Sequence, residues 1–137
     1  MKLNNENIKL ISDELIFVVK KMDESEVPLK LYYFSAVSGI FHRILNINYD
    51  PDLVFAHFVL RSTFDTFQQR LNALKQGDAT VPLSEEQFIK LTKLTKELAK
   101  TIKKGDNIEK ILKEFVVLAY STTGNGYYLM QKGHLKI

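Results

Sequence analysis

Residues 84–105, SEEQFIKLTKLTKELAKTIKKG, hold a complete set of helix signals in one stretch. Ser84 and Gln87 have the spacing of a capping box, in which each side chain satisfies a backbone N–H at the helix start. Apolar residues then recur every three or four positions, and lysines occupy the opposite side. Gly105 suits the left-handed conformation with which many helices end. This stretch therefore predicts an amphipathic helix that packs against other elements.

The rest of the chain shows the same apolar spacing. Asp50, Pro51 and Asp52 combine an N-cap, a proline suited to the first turn and an acid that faces the positive end of the helix. Asp106 and Glu109 are the predicted caps of the last helix. The spacing predicts, besides the helix already described, helices over residues 8–22, 28–45, 51–76 and 108–119.

The second of these helices is apolar over most of its circumference, which is typical of a central helix that others surround. The remaining narrow stripe consists of small or polar residues, namely Ser35, Gly39, His42 and Asn46. We therefore expect residues 28–45 to occupy the middle of the fold.

Together the signals predict an all-α fold, a bundle of about five helices that forms a single domain over residues 1–137. The acidic residues 23–26, DESE, are expected to form the first turn. A turn at Gly124–Gly126 is expected to lead into a short C-terminal arm, residues 127–137, for which a helix, an extended segment and part of a hairpin all stay open.

Composition narrows the classes of function. The chain has no cysteine, and it contains neither the Glu-x-x-His nor the His-x3-His spacing, so we expect no metal site. Its longest uncharged stretches, residues 31–41 and 115–131, are too short or too polar to span a bilayer. The N-terminus lacks the apolar segment of a secretory signal. We therefore expect a cytoplasmic protein that does not act in a membrane.

Residues 115–130, FVVLAYSTTGNGYYLM, raise the question of a cofactor. They are similar to the strand and loop of flavodoxin-like proteins, in which a hydroxyl-rich turn wraps the flavin phosphate, and this resemblance implies a phosphate site at Ser121, Thr122, Thr123 and Asn125. The context points elsewhere, because no strands follow and residues 108–119 keep helical spacing. We therefore interpret the stretch as a helix end and a corner, and we expect no cofactor.

Four residues on the polar sides of the second and third helices are candidates for catalysis: His42, His57, Arg61 and Asp65. The last three lie at i, i+4 and i+8, so that a base, a cation and an orienting carboxylate share one helix face. The alternative is a solvated ladder of ion pairs, which such spacing commonly produces. We favour this alternative and expect no enzymatic activity.

The lysines opposite the apolar side of residues 84–105 are candidates for weak, non-specific binding to the nucleic-acid backbone: Lys90, Lys93, Lys96, Lys100, Lys103 and Lys104. Residues 81–137 hold ten lysines against six acids, which supports this hypothesis. Two features weaken it, since only three of the nineteen basic residues are arginine and no aromatic residue interleaves with these lysines. The alternative is an ordinary solvated helix face.

Aromatic residues suggest contact with another protein or with a second copy of the chain. Nine of the fifteen lie between Tyr32 and Phe67, and Tyr32 adjoins the stripe of Ser35 and Gly39. Small residues allow close approach of a second helix, and aromatic residues are enriched in interfaces. The alternative is that this stripe packs within the monomer, for example under the first helix. We expect a non-catalytic interaction module that self-associates through its second and third helices.

Overall fold

The computed structural model describes residues 1–78, 81 and 83–123, and all regular structure in this part of the chain is helical. Five helices follow one another: α1 (Asn5–Glu24), α2 (Val27–Ile47), α3 (Pro51–Lys75), α4 (Glu85–Lys104) and α5 (Glu109–Thr123). The predicted all-α bundle is confirmed. The Gly124–Gly126 turn and the C-terminal arm lie outside the described residues.

Contacts between helix ends set the relative directions of the helices. The backbone N–H of Asn4 donates to Asp50 Oδ2, which joins the start of α1 to the start of α3. The N–H of Ile108 donates to the carbonyl of Met1, which brings the start of α5 to the same end of the bundle. Helices α1, α3 and α5 therefore run one way, and α2 and α4 run the other way.

Helix α2 is flanked by other helices but not surrounded by them, because its outer side is exposed at Tyr32, Gly39 and His42. It packs against α1, α3 and α4. Phe34 also stacks on Phe115 of α5, with ring centroids 5.9 Å apart. Burial of each large apolar side chain in this core contributes about 1.5–3 kcal/mol to folding. The largest fully buried side chains come from all five helices and include Ile11, Leu15, Phe34, Phe41, Leu53, Leu60, Phe67, Leu91 and Phe115.

The predicted ends of α3 and α4 are confirmed. Asp50 Oδ1 accepts from the N–H of Asp52 at 3.0 Å, and Gln87 Oε1 accepts from the N–H of Ser84 at 2.6 Å. Gly77 and Gly105 follow the two helices with φ angles of +90° and +72°. These ends depend on neighbours within a few residues, which explains why local sequence is sufficient to locate them.

Two helix ends differ from expectation. Helix α1 continues through Glu24, so half of the DESE segment is helical and the turn is shorter than predicted. Lys30 Nζ donates to the carbonyl of Met22 at 2.8 Å, which satisfies an acceptor at the end of α1. At the start of α5, Asn107 Oδ1 rather than the carboxylate of Asp106 accepts from the N–H of Glu109.

A buried polar cluster joins α1 to the corner between α2 and α3, and the apolar pattern gives no sign of it. Asn7 is fully buried. Its Nδ2 donates to the carbonyl of Asn48 at 3.2 Å and to Asp50 Oδ2 at 3.4 Å. Asp50 is therefore both the cap of α3 and the acceptor that holds the start of α1.

The end of α5 answers the question of a phosphate loop. Residues 115–123 are helical, and the hydroxyls of Ser121 and Thr122 donate to backbone carbonyls three residues earlier. A helix thus leads to Gly124 where a flavodoxin-like loop needs a strand.

None of the described helices is long and apolar enough to cross a membrane.

Candidate functional site

The candidate catalytic residues lie along the contact between α2 and α3. The rings of His42 and His57 stack with centroids 5.4 Å apart and an interplanar angle of 27°. His42 is exposed, and His57 is half-buried beside it. The two imidazoles therefore form one pair across the seam between the helices.

The charge state of His57 follows from its surroundings. Partial burial lowers its pKa below the usual 6.5, and the neighbouring His42 and the Arg61 guanidinium lower the pKa further. All three causes disfavour the imidazolium form. His57 is consequently neutral at physiological pH, and a neutral ring can stack on His42 without charge repulsion.

Arg61 and Asp65 form a second, separate pair one turn further along α3. Arg61 Nε lies 3.2 Å from Asp65 Oδ1, and the two side chains are 59% and 48% exposed. The guanidinium also lies over the ring of Phe64, 5.6 Å from its centroid. An exposed ion pair of this kind contributes about 0–1 kcal/mol to stability.

The four candidate residues therefore share one seam but do not enclose a space. Five grooves on the described part of the chain have volumes from about 320 to 880 Å³, and none of these five is lined by any of the four residues. His57 has the ring of His42 as its partner, whereas a general base is commonly oriented by a carboxylate. This geometry is that of a solvated polar seam.

The small-residue stripe of α2 is open to solvent. Gly39 is exposed, and a Cβ atom added to it would meet nothing within 4 Å. His42 and Asn46 are exposed as well. The alternative in which α1 covers this stripe within the monomer is therefore wrong. Helix α1 packs beside the stripe instead, where Glu14 forms an ion pair with Arg43.

Aromatic residues extend this open surface on both helices. Tyr32 precedes Gly39 by seven residues, which places it on the same side of α2, and it is 67% exposed. Phe58 follows His57 on α3 and is also 67% exposed. We call this surface the α2/α3 face, which consists of Tyr32, Ser35, Gly39, His42 and Asn46 of α2 with Val54 and Phe58 of α3.

Phe58 is an interaction candidate that our sequence-based prediction does not include. Phe58 lies two residues before the buried Leu60, and a rotation of about 200° places it nearly opposite on the helix. The angular position of Phe58 relative to the buried residues of α3 therefore identifies it as an apolar residue on the solvent side.

The lysines of α4 are placed as the pattern predicts, with one exception. Five of them are exposed, namely Lys90, Lys93, Lys100, Lys103 and Lys104. Lys96 is half-buried, and its Nζ lies 2.9 Å from Asp23 Oδ1 of α1. The hydrogen bond from Lys96 lowers the pKa of Asp23 below its usual value. The charge of Lys96 is therefore already matched within the fold.

Comparison with known proteins adds no assignment to these surfaces. No family model, curated protein or solved structure matches the chain.

Proposed function

We propose that this protein is a non-catalytic helical interaction module of the cytoplasm that self-associates through the α2/α3 face. The observation that carries the proposal is Gly39, which lies uncovered in the middle of α2 on the same side of the helix as the exposed ring of Tyr32. The proposal rests on the energetics of that glycine, on the apolar area around it and on symmetry.

Gly39 is unfavourable for the isolated monomer. Glycine in the interior of a helix destabilises it by about 0.5–1 kcal/mol relative to alanine. Nothing inside the monomer approaches the position of the missing Cβ, and the φ angle of Gly39 is not positive. Close approach of a backbone from a second copy would offset this cost, because only glycine leaves room for it.

The aromatic side chains supply the apolar area that such a contact needs. An aromatic side chain buries about 150–250 Å² when it is fully covered. Tyr32 and Phe58 are each 67% exposed. With these two residues on each of two copies, a symmetric contact would cover several hundred Å² of the roughly 1,600 Å² typical of a specific interface.

Symmetry favours a second copy as the partner. In a two-fold dimer the same surface meets itself, so one exposed face is sufficient for both sides of the contact. The α2/α3 face is also poor in free charge, since the Arg61 guanidinium beside it is matched by Asp65. It would meet a copy of itself without strong repulsion.

Light scattering and sedimentation across micromolar concentrations test this proposal. The wild-type chain is expected to increase in mass with concentration, and Phe58→Asp is expected to stay monomeric because it places a charge in the contact. Val117→Asp is the matched control, since Val117 lies on α5 and is 66% exposed against 67% for Phe58. A wild-type mass that stays monomeric throughout, or equal loss of association in both variants, would contradict the proposal.

A second candidate is non-specific binding of nucleic-acid backbone by the α4 lysines. The exposure of Lys90, Lys93, Lys100, Lys103 and Lys104 supports it. Gel-shift affinity for single-stranded DNA is then expected to fall steeply with added salt. Charge reversal at Lys93, Lys100 and Lys104 is expected to abolish the shift, and unchanged binding would exclude this face.

A further inference from the structure

A groove between α1 and α4 combines an apolar floor with a cationic rim. Its floor consists of Ile16, Val19 and Ala99, of which Val19 and Ala99 pack against the core and Ile16 is about half-exposed. Its volume is about 470 Å³. All of its lining residues belong to the two helices, so the groove has two walls and is open to solvent along its length. We call it the α1/α4 groove.

The rim carries more positive charge than the fold neutralises. Lys20 of α1 and Lys100 and Lys103 of α4 line the groove. Among the described residues, no carboxylate lies within ion-pair distance of these three lysines. One acid, Asp23, lines the groove, and it is paired with Lys96. The groove therefore presents cationic edges on both sides of an apolar centre.

We infer that the α1/α4 groove binds an acidic amphipathic helix of another protein. An apolar stripe on that helix would cover Ile16, Val19 and Ala99, and carboxylates beside the stripe would meet Lys20 on one edge and Lys100 and Lys103 on the other. Helices commonly dock in this manner, with their apolar side in a groove between two helices.

The length and shape of the groove favour a helix over other occupants. Lys96 and Lys103 are seven residues apart, which spans two helical turns or about 10 Å of the axis of α4. A small molecule would stay largely uncovered in a groove with one open side, whereas binding sites for small molecules enclose most of their ligand. The lining includes no aromatic residue on which a base could stack, which disfavours single-stranded nucleic acid.

Charge also separates this occupant from a second copy of the chain. The chain has a net charge of +3, so a second copy would bring further positive charge to the cationic rim. The groove lies on α1 and α4, whereas the α2/α3 face lies on α2 and α3. This inference therefore does not depend on self-association.

Fluorescence anisotropy with designed peptides tests the inference. The probe is a labelled peptide of about 18 residues, or roughly five helical turns, with leucine at every third and fourth position and glutamate on either side of that stripe. Two control peptides replace either the glutamates by lysine or the leucines by glutamine. The glutamate–leucine peptide is expected to bind at micromolar concentration, and each control at least about tenfold more weakly.

Matched protein variants locate the binding. The double substitution Lys100→Glu and Lys103→Glu is expected to weaken binding at least about tenfold. The double substitution Lys93→Glu and Lys104→Glu changes the same charge on α4 outside the groove, and it is expected to leave the affinity within about twofold. Ile16→Gln removes apolar floor without changing charge and is expected to weaken binding as well. Phe58→Asp, on the α2/α3 face, is expected to have no effect.

Several results would overturn the inference. One is the absence of binding by the glutamate–leucine peptide at high micromolar concentration, and another is equal weakening by the two double charge reversals, which would indicate general attraction of anions. A third result would be that single-stranded DNA displaces the peptide from the wild-type protein but does not bind the variant with Lys100→Glu and Lys103→Glu. That result would identify nucleic acid as the occupant. Loss of peptide binding in Phe58→Asp would place the contact on the α2/α3 face.

Discussion

Asn7 is the side chain on which the corner between the first three helices depends. It is fully buried, and its amide donates to the carbonyl of Asn48 and to the carboxylate of Asp50. A buried polar group is tolerated because its hydrogen bonds are satisfied, and removing one partner leaves others unpaired. The apolar pattern cannot indicate this role, since an asparagine near a helix start is equally common on the surface.

Asn7→Ala tests the importance of this cluster. It is expected to lower the free energy of unfolding by about 1–3 kcal/mol, because the carbonyl of Asn48 loses its buried donor. Urea denaturation measures the change as a lower midpoint. Asn5→Ala is the control, since Asn5 is exposed at the first turn of the same helix. Equal midpoints for the two variants would show that the cluster contributes nothing.

The histidine pair makes stability depend on pH. The pKa of His57 is lowered in the folded protein by burial and by His42 and Arg61. The unfolded chain therefore binds a proton more readily than the folded protein below about pH 6.5. The contribution of neutral His57 to the free energy of unfolding is therefore fully present above this pH. It is lost as the pH falls through the lower pKa that His57 has in the folded protein.

His57→Gln is expected to reduce this loss of stability. Denaturation midpoints measured between about pH 7.5 and 5 should fall more steeply for the wild type than for the variant. His42→Gln is a useful comparison, because it removes one of the causes that lower the pKa of His57 and should give an intermediate slope. Parallel profiles for all three proteins would contradict this account of the seam.

At the scale of single helices, local signals predict most of what is observed. The caps at Asp50 and Ser84 and the glycines after α3 and α4 act over a few residues, so their effect does not depend on the rest of the fold. The end of α1 shows where this reasoning is insufficient. Lys30, eight residues beyond Met22, donates to its carbonyl, and that contact exists only once α2 has folded back.

Two glycines are expected to respond to alanine in opposite ways. In the monomeric Phe58→Asp background, Gly39→Ala should raise the free energy of unfolding by about 0.5–1 kcal/mol, because alanine favours the helix and has free space there. Gly105→Ala should lower it by about 1 kcal/mol, because Gly105 has a φ angle of +72° at the end of α4.

The same Gly39→Ala substitution in the wild-type background should weaken self-association while it stabilises the helix. Light scattering would then show less dimer at a given concentration, although the monomer has become more stable. A variant that is stabilised and associates as strongly as the wild type would show that no second backbone approaches Gly39.

At the scale of the whole molecule, self-association and stability are linked by mass action. A dimer that forms only from folded chains raises the melting temperature as protein concentration increases. The wild type is therefore expected to melt at higher temperature in concentrated than in dilute solution, and Phe58→Asp to melt at one temperature in both. Calorimetry over a wide concentration range measures this. A melting temperature independent of concentration in the wild type would contradict dimerisation.

The whole molecule also explains why the candidate surfaces are only partly predictable. The lysines of α4 oppose a strong apolar stripe, so their exposure follows from the phase of one helix. Whether α1 covers the stripe at Gly39, and whether Lys96 keeps a free charge, depends on where α1 packs. Asp23 lies on α1 and reaches Lys96 across more than seventy residues of chain, a distance over which sequence spacing carries no information.

Apolar periodicity and the end signals of each helix are sufficient to predict that this chain forms an α-helical bundle, because both act through near neighbours along the chain. Packing adds what those patterns cannot contain. It pairs His42 with His57, leaves Gly39 exposed in the middle of α2, and places α1 beside α4 so that lysines border an apolar groove. These surfaces arise from contacts between distant segments, whose relative placement is set only when the helices bury their apolar sides together.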